Sequence, residues 1–383
     1  KTGSISLLRG NQSEVKAVYD ALSSDNKDEN SPLGKGVDGA QVADSAIIAY
    51  RLARLINCPV VATGKEDYVS DGTRVFAVPH GHSIMTAVTG TGCLLGAVLA
   101  AFFGIYDSFK DSLSTGEFLA YALAYYGLAG ESAVKVSGIK PGSFSIAFMD
   151  ALYTLDDEVL VSENRVRPVV VPDQLQVYFV CGTQDTELNK KRLLEIVEDA
   201  CRGGITCFQY REKGDGTLEG QQKLELAQQL QHICAKYHVL YIINDDVELA
   251  VAVNADGVHV GQDDMCLEDV RNIVGHKVVG ISIHSIEELH KTDVLYADCV
   301  GVGPMYTTSS KPDAQEPCGP ERTAELQAEG LTLPCVGIGG ITIDNAMAVL
   351  RAGACGVAVI SAIAHAEKPY EAVRQFKELA SSL

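Results

Sequence analysis

The heptapeptide Cys207-Phe208-Gln209-Tyr210-Arg211-Glu212-Lys213 ends an apolar run with a Gln, an Arg and a Lys at alternate positions. In a strand, alternate side chains share a face, so these three form a row of donors aimed at an anion. The pattern recurs downstream. Val239-Leu240-Tyr241-Ile242-Ile243 runs into Asn244-Asp245-Asp246, and Gly257-Val258-His259-Val260 runs into Gly261-Gln262-Asp263-Asp264. Polar groups at the carboxyl ends of successive strands are how a parallel barrel builds its active site.

From Leu175 onward, short β-branched runs alternate with amphipathic stretches. The strand candidates are Gln176 to Cys181, Thr206 to Tyr210, Val239 to Ile243, Gly257 to Val260, Val278 to Ile283, Cys299 to Val302, Cys335 to Ile338 and Gly356 to Ile360. They predict a C-terminal (β/α)8 TIM barrel over residues 175–383. Upstream, residues 161–174 carry Pro168 and Pro172 without a helical period, and read as a linker. Residues 1–160 read as an α/β layer, with strands at Ile56 to Ala62 and Thr73 to Val78 and helices at Gly92 to Phe103 and Glu117 to Lys135. Ser4 to Leu8 leads directly to Arg9-Gly10-Asn11 and a helix, which reads as the middle of a fold.

The bulk composition allows this organisation and excludes several functions. With 383 residues and 46% apolar content, the chain is long enough for two domains with sizeable cores. It has no apolar run of the roughly 20 residues that a membrane span needs and no basic-then-apolar start, so it reads as soluble and cytoplasmic. The eleven cysteines contain no Cys-x-x-Cys pair, so neither a disulfide framework nor a zinc knuckle is indicated. A net charge of −19 argues against nucleic acid or anionic membrane as partners. A homo-oligomer is compatible with all of these features.

Asp245 and Asp264, at the ends of the third and fourth strands, suit Mg²⁺, a hard cation that takes one or two carboxylates and completes its shell with water and phosphate. Helix N-capping is the alternative reading for each. After the sixth strand, Gly303-Pro304-Met305-Tyr306-Thr307-Thr308-Ser309-Ser310-Lys311 reads as an anion-binding loop or an ordinary surface loop. After the seventh, Gly337-Ile338-Gly339-Gly340 exposes backbone N–H groups, and after the eighth Ile360-Ser361 opens a helix. Barrels commonly bind phosphate at these last two loops. One phosphate there, and a metal-bound diphosphate near strands two to four, describe a group transfer in which diphosphate leaves.

On these motifs, with Gly280-Ile281-Ser282-Ile283-His284 and Val336 to Ile341, residues 175–383 resemble thiamine phosphate synthase. That family joins a pyrimidine diphosphate to a thiazole phosphate. The resemblance implies that Arg211, Lys213, Asn244 and Lys311 contact the pyrimidine diphosphate, with Gln209 alongside, and that Asp245 and Asp264 hold Mg²⁺. It assigns Thr308, Ser309, Ser310, Gly340, Ile360 and Ser361 to the thiazole phosphate, and Ser282 to stabilising the reacting intermediate. Lys311, Arg211 and Ser282 are thereby the expected catalytic residues of the barrel. A barrel that binds thiamine precursors without turnover is the competing reading.

In the first 160 residues, Val88-Thr89-Gly90-Thr91-Gly92-Cys93 reads as a Gly-rich turn opening a helix, with Cys93 at a helix start, where a thiol is activated. A packing role for Cys93 is the alternative. Leu8 to Glu14, Gly34 to Asp38, Thr63 to Tyr68, Gly81-His82 and Pro141 to Phe144 together resemble hydroxyethylthiazole kinase, a ribokinase-like enzyme that phosphorylates the thiazole alcohol with ATP and Mg²⁺. The resemblance places nucleotide contacts on Arg9 and Thr63, a substrate contact on Gly90 and the active-site residue at Cys93. It begins at Arg9 and covers the later part of that kinase, so a truncated kinase domain is expected, with ATP as its cofactor where the domain is intact.

Overall fold

The computed structural model describes residues 5–23, 40–110, 112–308, 310 and 315–382. The chain divides into two compact units, Lys1–Val169 and Val170–Leu383.

The first unit is built on one sheet in the order β1 (Leu8–Asn11), β2 (Val60–Thr63), β3 (Asp67–Ser70), β4 (Val75–Val78) and β5 (Arg167–Pro168). β1 and β2 are parallel, and the other pairs are antiparallel. The strand period of two decides the layering. Val60 and Ala62 pack with Ile48, Leu52 and Val15 in one core cluster, whereas Val61, with Val69, Phe76 and Val78, packs with Leu99, Leu119, Leu123 and Phe148 in another.

The expected strand Ile56 to Ala62 begins later, because the helix Ala40–Ile56 persists to its first residue and Asn57 then takes φ 48°. β3 went unforeseen: its four residues, Asp-Tyr-Val-Ser, are too short and polar to declare themselves, and they are held by pairing with β2 and β4. Residues 161–174 include β5, which pairs with Phe76 and Ala77 of β4, and most of the 3-10 turn Pro172–Leu175.

In the second unit, β6 (Val177–Cys181), β7 (Cys207–Tyr210), β8 (Leu240–Asn244), β9 (Gly257–Val260), β10 (Val278–Ile283), β11 (Cys299–Val302), β12 (Cys335–Ile338) and β13 (Gly356–Val359) close into a parallel barrel. β6 is flanked by β7 and β13. Alternation again divides the side chains. Tyr178, Val180, Cys207, Leu240, Ile242, Val278, Cys299, Val336 and Ala358 fill the barrel, and Phe179, Phe208, Tyr210, Tyr241 and Ile243 face the helices.

The helix Lys190–Gly203 illustrates how the outer ring forms. Asn189 caps it by accepting from the Arg192 N–H at 3.1 Å, and Gly204 ends it at φ 101°. Its Leu193, Ile196, Val197 and Ala200 fall on one stripe and are buried against the barrel. No helix among the described residues is long and apolar enough to cross a membrane.

Candidate active site

The carboxyl ends of β6 to β13 surround one cavity. Gln209, Arg211, Asn244 and Ser282 line one part of it, and Thr308, Ser310, Gly340, Ile360 and Ser361 line another. The inward phase that places Cys207 in the barrel interior carries Gln209 and then Arg211 to its top, where they are only 5% and 9% exposed. Gln209 Nε2 donates to the Tyr178 hydroxyl at 2.8 Å, which fixes the amide.

Lys213, Asp245 and Asp264 form a cluster of their own. Lys213 Nζ donates to Asp245 Oδ2 at 2.9 Å. Asp245 has φ 60°, and its N–H donates to the His259 carbonyl at 2.8 Å. Asp264 accepts from the Gly261 N–H at 2.7 Å. Burial and the adjoining Asp264 carboxylate push the Asp245 carboxyl up, while Lys213 pulls it down. Helix capping explains neither acid: Asp246 caps the helix Val247–Ala252 through the Leu249 N–H, and Cys266 stands at the cap of the helix Leu267–Val274 without a side-chain bond. Among the described residues no three His, Cys, Asp or Glu side chains converge on a metal position. Two adjacent carboxylates are donors of the kind that Mg²⁺ takes, with water and phosphate completing its shell.

Ser282 Oγ and His259 Nε2 are hydrogen-bonded at 3.0 Å. The ring has room because Gly280 faces it across the β9–β10 ladder: a Cβ there would lie 2.3 Å from His259 Nδ1. On the opposite wall, Gly339 and Gly340 take φ 96° and 63°. The helix expected at Ser361 is a single turn, Ser361–Ala364, so it offers an anion N–H groups and a hydroxyl but little macrodipole. Ser309 and Lys311, and the Gly34 to Asp38 segment, lie outside the described residues.

The first unit gathers a second polar group at the parallel ends of β1 and β2. Arg9 donates to Thr63 Oγ1 at 3.2 Å, and the Thr63 hydroxyl donates to the Gly10 carbonyl at 3.2 Å. The Arg9 Nε is buried and has no hydrogen-bond partner among the described residues. Its guanidinium reaches the start of the helix Thr91–Phe103, where a Cβ on Gly92 would lie 3.4 Å from Arg9 Nη2. Gly90 precedes that helix at φ 98°, and Cys93, its third residue, is exposed.

Both parts of the chain are similar in sequence to known proteins. Residues 177–363 match the family described as thiamine monophosphate synthase, and residues 1–158 match the hydroxyethylthiazole kinase family. The thiamine-phosphate synthase of Geobacillus thermodenitrificans is 49% identical over 205 residues, which cover 54% of this chain and 91% of that protein. The chain belongs to the thiamine-phosphate synthase family. The solved thiamine phosphate pyrophosphorylase of Pyrococcus furiosus is 31% identical, matching 55% of this chain and 98% of its own, with a TM-score of 0.49. The hydroxyethylthiazole kinase structure from Pyrococcus horikoshii is 30% identical over 43% of this chain, with a TM-score of 0.35, and the chain spans 56% of its length.

In sequence, the synthase barrel follows an α/β unit that matches the hydroxyethylthiazole kinase family, and the chain is an enzyme of thiamine biosynthesis. Within the synthase cavity the sequence reading overlooked Tyr178, His259, His284 and Gln315. The available signal for His259 was its inward phase in β9, opposite a glycine.

Proposed function

We propose that the barrel joins 4-amino-2-methyl-5-hydroxymethylpyrimidine diphosphate to 4-methyl-5-hydroxyethylthiazole phosphate, giving thiamine phosphate and diphosphate. The observation that carries this reading is a single cavity with cationic and amide donors on one wall and a Gly-Gly turn with hydroxyls on the other. Arg211, Lys213, Asn244 and Lys311 would hold the diphosphate, with Gln209 beside the pyrimidine. Thr308, Ser309, Ser310, Gly340, Ile360 and Ser361 would hold the thiazole phosphate. Asp245 and Asp264 would bind Mg²⁺, which when present supplies positive charge to the leaving diphosphate.

The transfer is dissociative. The bond between the pyrimidine methylene carbon and the diphosphate oxygen breaks with its electron pair going to diphosphate, and the thiazole nitrogen lone pair then forms the new C–N bond. Arg211 and Lys213 stabilise the negative charge that develops as the first bond breaks. Ser282, oriented by His259, is placed to stabilise the pyrimidine cation. The attacking nitrogen carries no proton, so the reaction needs no general base there.

Diphosphate release measured with both substrates tests the reading. Asp264→Ala should lower turnover at least about a hundredfold at ordinary Mg²⁺. Wild-type turnover in that variant would remove Asp264 from the metal site. Binding of both substrates by the wild-type protein without diphosphate release would favour a regulatory barrel instead.

A second reading concerns the first unit and rests on the half-buried Arg9 side chain, its Nε without a partner among the described residues, beside Thr63 and the helix start. There Arg9 and Thr63 would contact ATP, Gly90 the thiazole alcohol, and Cys93 would serve at the phosphoryl-transfer site. That step would make the phosphate that the barrel consumes. ATP-dependent phosphorylation of the thiazole alcohol, lost in Arg9→Ala, is the corresponding test.

A further inference from the structure

Glu212 stands between two cations assigned to the diphosphate, yet its side chain turns the other way. The phase that carries Gln209 and Arg211 into the barrel carries Tyr210 and Glu212 outward. There the Glu212 carboxylate accepts from the Thr183 N–H at 3.1 Å, from the Thr183 hydroxyl and from the Leu218 N–H at 2.9 Å. Thr183 opens the 3-10 turn after β6, and Leu218 closes the loop that leads to the helix Gly220–Lys236. One carboxylate therefore ties together the turn after β6, the end of β7 and the far end of the following loop. The Arg211 backbone is held independently: its N–H donates to the Cys181 carbonyl at 3.0 Å, and its carbonyl accepts from Gln184 Nε2 at 2.8 Å.

An anion between two anion-binding cations would weaken phosphate binding unless local donors absorb its charge. Here three do, and charge-assisted bonds of this kind are the strong ones. We propose that Glu212 is a positioning residue that fixes the backbone between Arg211 and Lys213, so that both cations meet the diphosphate at a set spacing. Glu212 does not itself touch substrate. The inference rests on the proposed assignment of Arg211 and Lys213 to the diphosphate.

The test uses the full chain, with inorganic diphosphate and Mg²⁺ as the binding probe and steady-state kinetics for both substrates. E212Q presents an amide N–H₂ to a site built from donors. It should raise the Kd for diphosphate and the KM for the pyrimidine diphosphate about tenfold, with the KM for thiazole phosphate within about twofold of wild type. T183V removes one donor at nearly constant shape and should shift the same two constants about threefold, which carries the test if E212Q does not fold. Equal losses for both substrates would reduce Glu212 to general stability. Unchanged or tighter diphosphate binding would overturn the inference, since removing a repulsive charge predicts tightening. Wild-type protein that binds diphosphate no better than R211A would instead remove the assignment beneath it, and the inference with it.

Discussion

Asp67 opens β3 with its carboxyl accepting from the Gly64 N–H at 2.8 Å, and burial still pushes its pKa up to about 6. The folded carboxyl keeps its proton at pH values where the unfolded one, near 3.8, has lost it. Stability of the first unit should therefore fall as pH rises from about 4 to about 6 and then level off. The linked loss is about 3 kcal/mol. Asp67→Asn should abolish it, so urea unfolding followed by circular dichroism across this range should give a wild-type-minus-variant difference that declines with pH; a flat difference would contradict the raised pKa. At this scale, legibility depended on phase. Gln209 and Arg211 were readable because the alternation that groups them is local. The bond from His259 to Ser282 was not, because it needs the register that sets Gly280 opposite His259. Asp245 and Asp264 lay between: the sequence left helix capping open for each, and it takes the folded chain to show that Asp246 and Cys266 hold the cap positions and that the two carboxylates adjoin.

Elements were legible where hydrophobic runs were long or bounded by turn residues. The barrel strands fall within a residue of expectation at each end because each is an apolar run closed by a polar or turn residue: Gly, Asn, Asp or Arg for most, His284 after β10 and Ser361 just beyond β13. The sheet of the first unit was less so: β1, β3 and β5 are short or polar, β1 and β5 depend on partners far along the chain, and β3 depends on its two neighbouring strands. Cross-strand fit also makes a prediction. Gly280→Ala puts a methyl group 2.3 Å from the His259 ring, which must swing away from Ser282. Overpacking of this kind costs about 1–3 kcal/mol. Thermal unfolding should show that loss, and turnover should fall at least as far as in Ser282→Ala, because the displaced ring no longer orients Ser282 and already lines the cavity. Unchanged stability and turnover would mean that the ring is not confined by β10.

Across the whole molecule, each unit has its own sheet and its own core clusters. All pairings of the barrel strands fall between Val177 and Val359. A fragment of residues 170–383 should accordingly fold and release diphosphate at the rate of the full chain. Differential scanning calorimetry and the same release assay would check this, and a fragment that fails to unfold cooperatively would show that the barrel depends on the preceding unit. The net charge of −19 makes the few inward cations decisive, because nothing in the average charge attracts a phosphorylated substrate.

Barrel closure also imposes a timetable on synthesis. Val177 in β6 pairs with Val357 in β13, so the first barrel strand to leave the ribosome waits for the last to complete its ladder. At ordinary elongation rates that interval is about 10 to 40 s. Until then β6 presents an open edge to whatever is nearby, and nascent chains stalled before β13 should be the species that chaperones engage and proteases clear.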